Sequence, residues 1–194
     1  MSYPFENAAA MFQGLIKPLS ALAHTDDRPF DADFASRLPT GKAYAFDEIK
    51  KYVCAYRSAK ARLPLRSADA LLIDASDGEP SYYLVDFKNQ KVDNIQSLKD
   101  ADRNELMQKA FDSLTILSMT FGCHVSMRAI QKRSTFIVVY PQQDYGARFL
   151  ETLNQCADGQ PLWNLDKLTS NGFYADVKTI HDGEFASLTL PYMS

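Results

Sequence analysis

The amino-acid sequence predicts an α/β fold in which helices flank a central mixed β-sheet. Two β-rich runs, 67–74 and 81–90, flank an Asp77-Gly78 pair, and such a pair is a strong hairpin signal. The second run is apolar on both faces, as expected for a strand that is covered on both sides. Between 102 and 121, apolar residues recur at three- and four-residue steps, which predicts a long helix.

The segments before the hairpin predict two helices joined by an irregular connection. Residues 5–22 are typical of a helix that is broken near Pro18, and residues 24–42 are rich in Asp, Pro, Thr and Gly. Residues 46–58 place apolar side chains at helical spacing, with two acids in the first turn, where the helix dipole favours them.

The segments after the hairpin predict the long helix, a second pair of strands and a mixed C-terminal part. Asp102 and Glu105 are placed as the N-cap of the long helix and its N3 partner, and Gly122 is placed to end it. Residues 124–130 and 134–141 have the composition of strands. The rest predicts a helix, a short turn or helix that anchors the tail, and a final hairpin. These lie near 144–156, at Trp163 and around His181-Asp182-Gly183.

The composition is that of an ordinary globular chain. The 194 residues are 46% hydrophobic and 23% charged, with no low-complexity tract or repeat. No apolar run approaches the roughly 18–20 residues of a membrane span, and no basic segment precedes the first apolar stretch as in a signal peptide. Because no Gly- or Ser-rich linker divides the chain, residues 1–194 are expected to form one domain.

The cysteines and histidines are scattered along the chain. Cys54, Cys123 and Cys156 are odd in number and form no CxxC pair, which favours buried thiols in a reducing cytoplasm. The three histidines are equally scattered, so no zinc site is expected.

Charge is distributed unevenly, although the net charge is only −3. The segment 50–66 carries six bases and no acid, whereas the last 55 residues carry seven acids and three bases. The basic segment is compatible with a solvated helix face and with a surface along a nucleic-acid backbone. Its position immediately before Asp69 favours the second interpretation. The acidic C-terminal part favours contact with a protein partner or with a second copy of the chain.

The predicted hairpin brings acidic and basic side chains to one face. With the Asp-Gly pair at its centre, Asp69 lies opposite Asp86, and directly opposed Cβ atoms are about 4.5–5.5 Å apart. Lys88 projects from the same face of its strand, and Gln90 follows on that face. The loop leaves the register open by a residue or two, and Asp74, close to the turn, is the weaker alternative.

Two opposed carboxylates repel each other unless a cation lies between them. Mg²⁺ meets this need because it takes one or two carboxylates and completes its shell with water and substrate phosphate. Mn²⁺ suits similar ligands. A neighbouring ammonium can position an attacking water and stabilise charge that develops on phosphorus. Asp69 and Asp86 are therefore candidate ligands of Mg²⁺ or Mn²⁺, with Lys88 as the assisting group.

Asp69, 16 further residues and then Asp86-Phe87-Lys88 resemble the bipartite signature of the PD-(D/E)xK, or restriction-endonuclease-like, nucleases. The order of helix, hairpin, helix and strand is also similar to the core of that family. The resemblance covers about residues 44–141. It leaves an N-terminal helical extension, 1–43, and a C-terminal mixed extension, 142–194.

The resemblance implies a metal-dependent nuclease acting on nucleic acid, with DNA as the expected substrate. Asp69 and Asp86 would bind the metal, and a helical Glu that some members add corresponds to Glu48. The candidate catalytic residues are Asp69, Asp86, Lys88 and Glu48, together with Gln90, which follows Lys88 on the same strand face. The resemblance implies Lys109 as a substrate-binding residue, and the basic segment adds Lys60, Arg62 and Arg66.

The chain departs from the family pattern in two places. Ala68 stands where the namesake motif has proline. The family also has a strand between its first helix and the Asp-bearing strand, and only residues 59–66 are available for it here.

Three interpretations of the motif stay open. The first is a Mg²⁺- or Mn²⁺-dependent phosphodiesterase. The second is a non-catalytic module of the same fold that binds nucleic acid or a protein partner. In the third, the motif is structural: Lys88 extends to solvent from an edge strand and pairs with Asp86.

Overall fold

The computed structural model describes six ranges of the chain, and within them a mixed sheet carries helices on both faces. The ranges are 11–23, 32–57, 65–88, 100–121, 125–141 and 162–192. The strands are β1 (Ile16–Pro18), β2 (Lys42–Ala45), β3 (Ala70–Asp74), β4 (Ser81–Phe87), β5 (Ser134–Tyr140) and β6 (Asp176–His181). The α-helices are α1 (Leu19–Leu22), α2 (Ala32–Arg37), α3 (Phe46–Arg57), α4 (Asp100–Phe121), α5 (Met127–Lys132), α6 (Asp166–Ser170) and α7 (Asp182–Ser187). Short 3-10 turns occupy Gln13–Leu15 and Leu162–Asn164. The predicted α/β fold is confirmed.

The sheet has six strands in the order β1-β2-β3-β4-β5-β6. The pairs from β1 to β4 are antiparallel, whereas β4–β5 and β5–β6 are parallel. The strand β4 therefore lies inside the sheet, where the antiparallel and parallel halves meet. The carboxyl ends of β4, β5 and β6 lie at one edge, together with the amino end of β3.

Apolar side chains pack in two layers, one on each face of the sheet. The first layer contains buried residues of α3, α4, α5 and α6, and the second contains those of α1, α2 and α7. Because side chains alternate along a strand, Leu84 of β4 enters the first layer while Val85 and Phe87 enter the second. Asp86 therefore points toward the first layer, where α3 and α4 lie.

The central hairpin has the predicted register. Ala70 pairs with Val85 and Leu71 with Leu84, so the next position places Asp69 opposite Asp86. Gly78 turns the chain with φ of +83°, a conformation that favours glycine.

The two main helices and the central strand after them lie close to where the sequence predicted them. The predicted helix 46–58 is α3, and the predicted strand 134–141 is β5. The long helix, α4, ends at Phe121 as expected but begins at Asp100. The prediction of Asp102 as its N-cap was therefore wrong.

The structure of the N-terminal part differs from its prediction. Residues 16–18 form β1 where a helix was predicted, and residues 32–37 form α2 where an irregular connection was predicted. The three residues of β1 are too few to show the alternation of a strand in the sequence. They extend because they pair with β2, which is distant in sequence.

The prediction of a strand at 124–130 was also wrong. Residues 127–132 form the helix α5, because the Ser126 side chain caps the first turn by accepting the Ala129 N–H at 3.3 Å. The return from α4 to β5 therefore runs through a helix, and β5 lies parallel to β4.

The predicted hairpin around residues 181–183 was wrong as well. His181 ends β6 and caps α7, since its Nδ1 accepts the Glu184 N–H at 3.1 Å. Asp182, expected in a turn, is fully buried and pairs with Nε of Arg37. The helix predicted at 144–156 lies outside the described residues.

Strands outside the predicted nuclease-like core join the same sheet. β1 extends its antiparallel side and β6 its parallel side, so the sheet reaches beyond residues 44–141 at both ends. No helix within the described ranges is both long enough and apolar enough to cross a membrane.

Substitution of Gly41 tests how the C-terminal segment packs on the second layer. A Cβ at this position would lie 2.7 Å from Cγ of Tyr192, whose ring packs edge-on against Phe185. We expect Gly41→Ala to lower the free energy of unfolding by about 1–3 kcal/mol because the ring must shift. Denaturant unfolding measures this. The control is Gly14→Ala, because a Cβ at Gly14 meets no atom within 4 Å. Equal stabilities of the two variants would contradict the packing of Tyr192 on Gly41.

Candidate metal and catalytic site

Asp69 is fixed at the edge of the sheet by three backbone contacts. Its carbonyl oxygen accepts the Phe46 N–H at 3.1 Å, at the start of α3, and its own N–H donates to the Val85 carbonyl at 3.0 Å. Its carboxylate Oδ2 accepts the Phe87 N–H at 2.7 Å. The side chain of Asp69 therefore lies against the backbone of β4, on the face that carries Asp86.

The residues that precede Asp69 are attached to both neighbouring helices. The Ala68 N–H donates to Oγ of Ser113 on α4 at 2.9 Å, and Oγ of Ser67 donates to Oδ1 of Asp47 on α3 at 3.1 Å. Ser113 is fully buried, so its hydroxyl positions the chain rather than facing a substrate. The packing of α3 and α4 thus determines where Asp69 stands.

Two lysines contact the carboxylates. Nζ of Lys109, on α4, lies 2.6 Å from Oδ1 of Asp86 and 3.7 Å from Oδ1 of Asp69. Nζ of Lys88 lies 3.2 Å from Oδ2 of Asp86. We call these four residues, Asp69, Asp86, Lys88 and Lys109, the aspartate–lysine cluster.

The cluster is almost completely withdrawn from solvent. Asp86 has no exposed surface, and the side chains of Lys88 and Lys109 are 14% and 12% exposed. Burial by itself would raise the pKa of Asp86, but the ammonium groups of Lys109 and Lys88 outweigh it and hold that pKa below its ordinary value. This shift favours the ionised form of Asp86.

Asp69 has the opposite protonation behaviour. Burial, together with the negative charge of Asp86, raises the pKa of Asp69 to about 7, against the smaller opposing effects of Lys109, the Phe87 N–H and Lys88. The pKa of Asp69 is therefore above the ordinary value for aspartate, and the pKa of Asp86 is below it. Such a separation occurs in sites that perform acid–base chemistry and also in structural ion-pair networks.

The contact of Lys109 with both aspartates was not predicted. The sequence indicated Lys109 only as a phosphate-binding candidate on the helix after the motif. A signal was nevertheless present, because Lys109 adjoins Ala110 and lies three residues after Leu106, on the border of the apolar stripe of α4. A lysine at such a position must reach a partner at the edge of the core.

The remaining predicted residues are not brought to the cluster by any contact within the described ranges. The carboxylate of Glu48 pairs with Lys17 of β1 at 2.5 Å. Arg66 lies 3.1 Å from Glu105 on α4, with its side chain 46% exposed. Gln90, Lys60 and Arg62 lie outside the described residues.

The basic segment 50–66 is partly neutralised by a neighbouring acid. The ammonium groups of Lys50 and Lys51 both pair with the carboxylate of Asp47, the latter at 2.8 Å. Of the six bases in this segment, these two and Arg66 are the ones whose side chains are described, and each of the three has an acidic partner.

Two side chains of the cluster, Asp69 and Asp86, could contribute carboxylate ligands to a Mg²⁺ site, although the ammonium of Lys109 lies against both of them. The contacts of Lys109 bring the two carboxylates within about 6 Å of each other, a span that one hydrated Mg²⁺ can bridge. Oδ2 of Asp86 is buried and forms an ion pair with the ammonium of Lys88 at 3.2 Å, without a well-directed hydrogen bond. No group of three or more His, Cys, Asp or Glu side chains within the described ranges could hold a metal ion, so water or substrate oxygens would complete the shell.

The fold and site define an α/β protein with a buried pair of carboxylates at the carboxyl edge of a central strand. Comparison with family models, with curated proteins and with solved structures gave no match. The resemblance to the PD-(D/E)xK nucleases therefore stays a prediction from the sequence.

The raised pKa of Asp69 predicts how stability depends on pH. The folded protein holds this proton more tightly than the unfolded chain does. The contribution of Asp69 to the free energy of unfolding is therefore full below the ordinary pKa of 3.8 and is lost as the pH rises toward about 7. We expect the wild type to lose stability relative to Asp69→Asn between pH 5 and pH 8, measured by denaturant unfolding with a chelator present.

The control for this experiment is Asp74→Asn. Hydrogen bonds from Ser76 lower the pKa of Asp74, so that carboxyl is ionised throughout the same pH interval. Its substitution should give a stability difference that does not change from pH 5 to pH 8. A constant difference for Asp69→Asn as well would show that Asp69 does not titrate in this interval.

Proposed function

We propose that this protein is a metal-dependent phosphodiesterase that hydrolyses nucleic acid, with DNA as the expected substrate. The observation that carries the proposal is the opposition of Asp69 and Asp86 at the carboxyl edge of β4, with the ammonium groups of Lys88 and Lys109 beside them. Open α/β sheets bind ligands at this edge of their parallel strands.

The burial of the cluster supports a functional role. Placing ionised groups in a protein interior is unfavourable, and well-packed apolar residues are often as stable as a buried ion pair or more so. Four charged residues at the edge of the core, two of them opposed carboxylates, are therefore poorly explained by stability alone.

The residues of the chain would divide the chemistry among them. Asp69 and Asp86 would hold Mg²⁺ or Mn²⁺, which supplies an activated water and neutralises charge on the scissile phosphate when it is bound. Lys88, held by Asp86 at 3.2 Å, would orient the attacking water and stabilise the charge that develops on phosphorus. Lys109 would turn from the carboxylates to a substrate phosphate, which offers it equivalent oxygen partners.

Binding of the rest of the substrate would depend on the basic segment. Arg66, Lys60 and Arg62 would contact backbone phosphates and contribute affinity rather than sequence recognition. A cytoplasmic location belongs to the same proposal, because the scattered cysteines favour a reducing compartment.

The direct test is cleavage of a plasmid and of a labelled single-stranded oligonucleotide with Mg²⁺ or Mn²⁺. We expect the wild type to cleave and a chelator to stop it. Asp86→Asn and Lys88→Gln should lower the rate at least about 100-fold, since the first removes a ligand of the metal and the second removes the group that orients the attacking water.

Glu184→Gln provides the matched control for carboxylate loss, because Glu184 lies in α7 against the opposite face of the sheet. It should cleave at the wild-type rate. Chelator-insensitive cleavage, or equal rates in the wild type, Asp86→Asn and Lys88→Gln, would remove the enzymatic proposal.

A second candidate function is a non-catalytic module that binds nucleic acid or a protein partner. The observation that favours it is the position of Lys109, whose ammonium already lies against both carboxylates. When Asp69 is ionised, two aspartates and two lysines balance each other in charge, so the cluster is also compatible with a structural ion-pair network. The acidic C-terminal part would then favour a protein partner or a second copy of the chain.

The variant Lys109→Met distinguishes the two candidates without an activity assay. Removing one partner of a buried ion pair is expected to lower the free energy of unfolding by about 3–5 kcal/mol in the presence of a chelator. If the carboxylates form a cation site, millimolar Mg²⁺ should restore part of this loss, because a ligand that binds only the folded state stabilises it. A structural network predicts the same loss without recovery.

Two further variants test whether the recovery of stability by Mg²⁺ comes from the aspartate–lysine cluster. Lys167→Met removes an exposed lysine on α6 and should change stability little, with or without Mg²⁺. Adding Asp86→Asn to Lys109→Met should abolish any recovery by Mg²⁺. Recovery that persists in the double variant would assign the Mg²⁺ effect to another part of the protein.

A further inference from the structure

Trp163 lies at the same edge of the sheet as the aspartate–lysine cluster. Its indole packs edge-on against Tyr140, the last residue of β5, with ring centroids 6.1 Å apart and an interplanar angle of 82°. Trp163 also packs against the first layer, which is the face of the sheet that carries Asp86.

The strand register links this aromatic pair to the cluster. Asp86 pairs with Val138 and Phe87 with Val139, and the Lys88 N–H donates to the Val139 carbonyl at 2.8 Å. The next position along both strands sets Lys88 beside Tyr140. Because side chains alternate, Tyr140 shares the face of Val138 and therefore of Asp86.

Trp163 is held in an unfavourable backbone conformation. Its φ is +63° and that of Asn164 is +57°, in the left-handed region that bulky side chains rarely adopt. Asparagine tolerates this region, but a tryptophan there is a genuine outlier. Residues held in such conformations cluster at functional sites, where the surrounding structure fixes them.

The polar atom of the indole has no partner within the described residues. Nε1 of Trp163 is buried and makes no hydrogen bond, although the residue as a whole is only partly buried. A buried indole N–H usually donates to an acceptor. A strained, partly accessible tryptophan with an unused donor, at the same sheet edge as a charged site, has the character of a ligand contact.

We propose that Trp163 binds a nucleobase of the substrate, with Tyr140 supporting the indole from the side. This inference rests on the proposed function, and it specifies the substrate as nucleic acid that is single-stranded near the reacting phosphate. A base stacked within a duplex does not present its face to a side chain, whereas an unpaired base does. Stacking on an indole is tolerant of sequence, so no sequence specificity follows.

The chain offers a direct probe, because Trp163 is its only tryptophan. Wild-type protein is titrated with oligothymidylate and with an abasic oligomer of equal length, with Ca²⁺ replacing Mg²⁺. Tryptophan emission reports contact at Trp163, and the anisotropy of a labelled oligomer reports binding anywhere on the protein. We expect a saturable change in emission with oligothymidylate and none with the abasic oligomer.

Substitutions at Trp163 show, by anisotropy, how much this residue contributes to the affinity for the oligomer. Trp163→Ala should weaken binding of oligothymidylate by about 5- to 100-fold, the usual range for loss of one stacked base. Trp163→Phe keeps an aromatic face and should lose less than Trp163→Ala does, which guards against a folding defect in the alanine variant. Phe173→Ala is the matched control, since Phe173 also packs against the first layer but precedes β6, at the opposite edge of the sheet. It should bind as the wild type does.

The outcomes separate this inference from the proposed function. Binding by anisotropy with unchanged tryptophan emission would overturn the role of Trp163, and so would an absence of binding. If the wild type cleaves, and Trp163→Ala, Trp163→Phe and Phe173→Ala all bind with equal affinity, the proposed phosphodiesterase is retained and the base contact at Trp163 is excluded. A tryptophan response without any cleavage would retain the base contact and remove the hydrolytic function.

Discussion

The opposition of Asp69 and Asp86 is the constraint on which the rest of the site depends. Two carboxylates on neighbouring strands, withdrawn from water, must be compensated by positive charge. The chain supplies Lys88 from the end of the same strand and Lys109 from α4. The ion pair between Lys109 and Asp86 therefore links α4 to the sheet, at the edge where β3 begins and β4 ends.

The same constraint explains why the cluster has two chemical interpretations. With Lys109 against the carboxylates and Asp69 ionised, the cluster is balanced in charge and needs no further cation. With Lys109 turned to a phosphate, the two carboxylates need a divalent cation in its place. A long lysine side chain allows both arrangements, so substrate and metal could enter together. The proposed hydrolysis requires this exchange, and a structural network excludes it.

The local patterns of the sequence were sufficient for the elements that carry the motif. The Asp77-Gly78 turn predicted the register of β3 and β4 to within a residue or two, and the apolar pattern identified α3, α4 and β5. Local patterns did not predict β1, α5 and α7. β1 is too short to have a pattern and exists through its pairing with β2. The other two begin at caps, Ser126 and His181, that the apolar pattern does not reveal.

The sequence by itself predicted that Asp69 and Asp86 face each other, to within a residue or two of register, because strand alternation and turn position are local properties. Only the tertiary structure decided what neutralises them and what surrounds them. Lys109 reaches them because α4 packs on the first layer, and Trp163 reaches the same edge because a later turn folds back beside Tyr140. Contacts between elements far apart in the chain depend on the packing of whole layers, and no local pattern of residues encodes that packing.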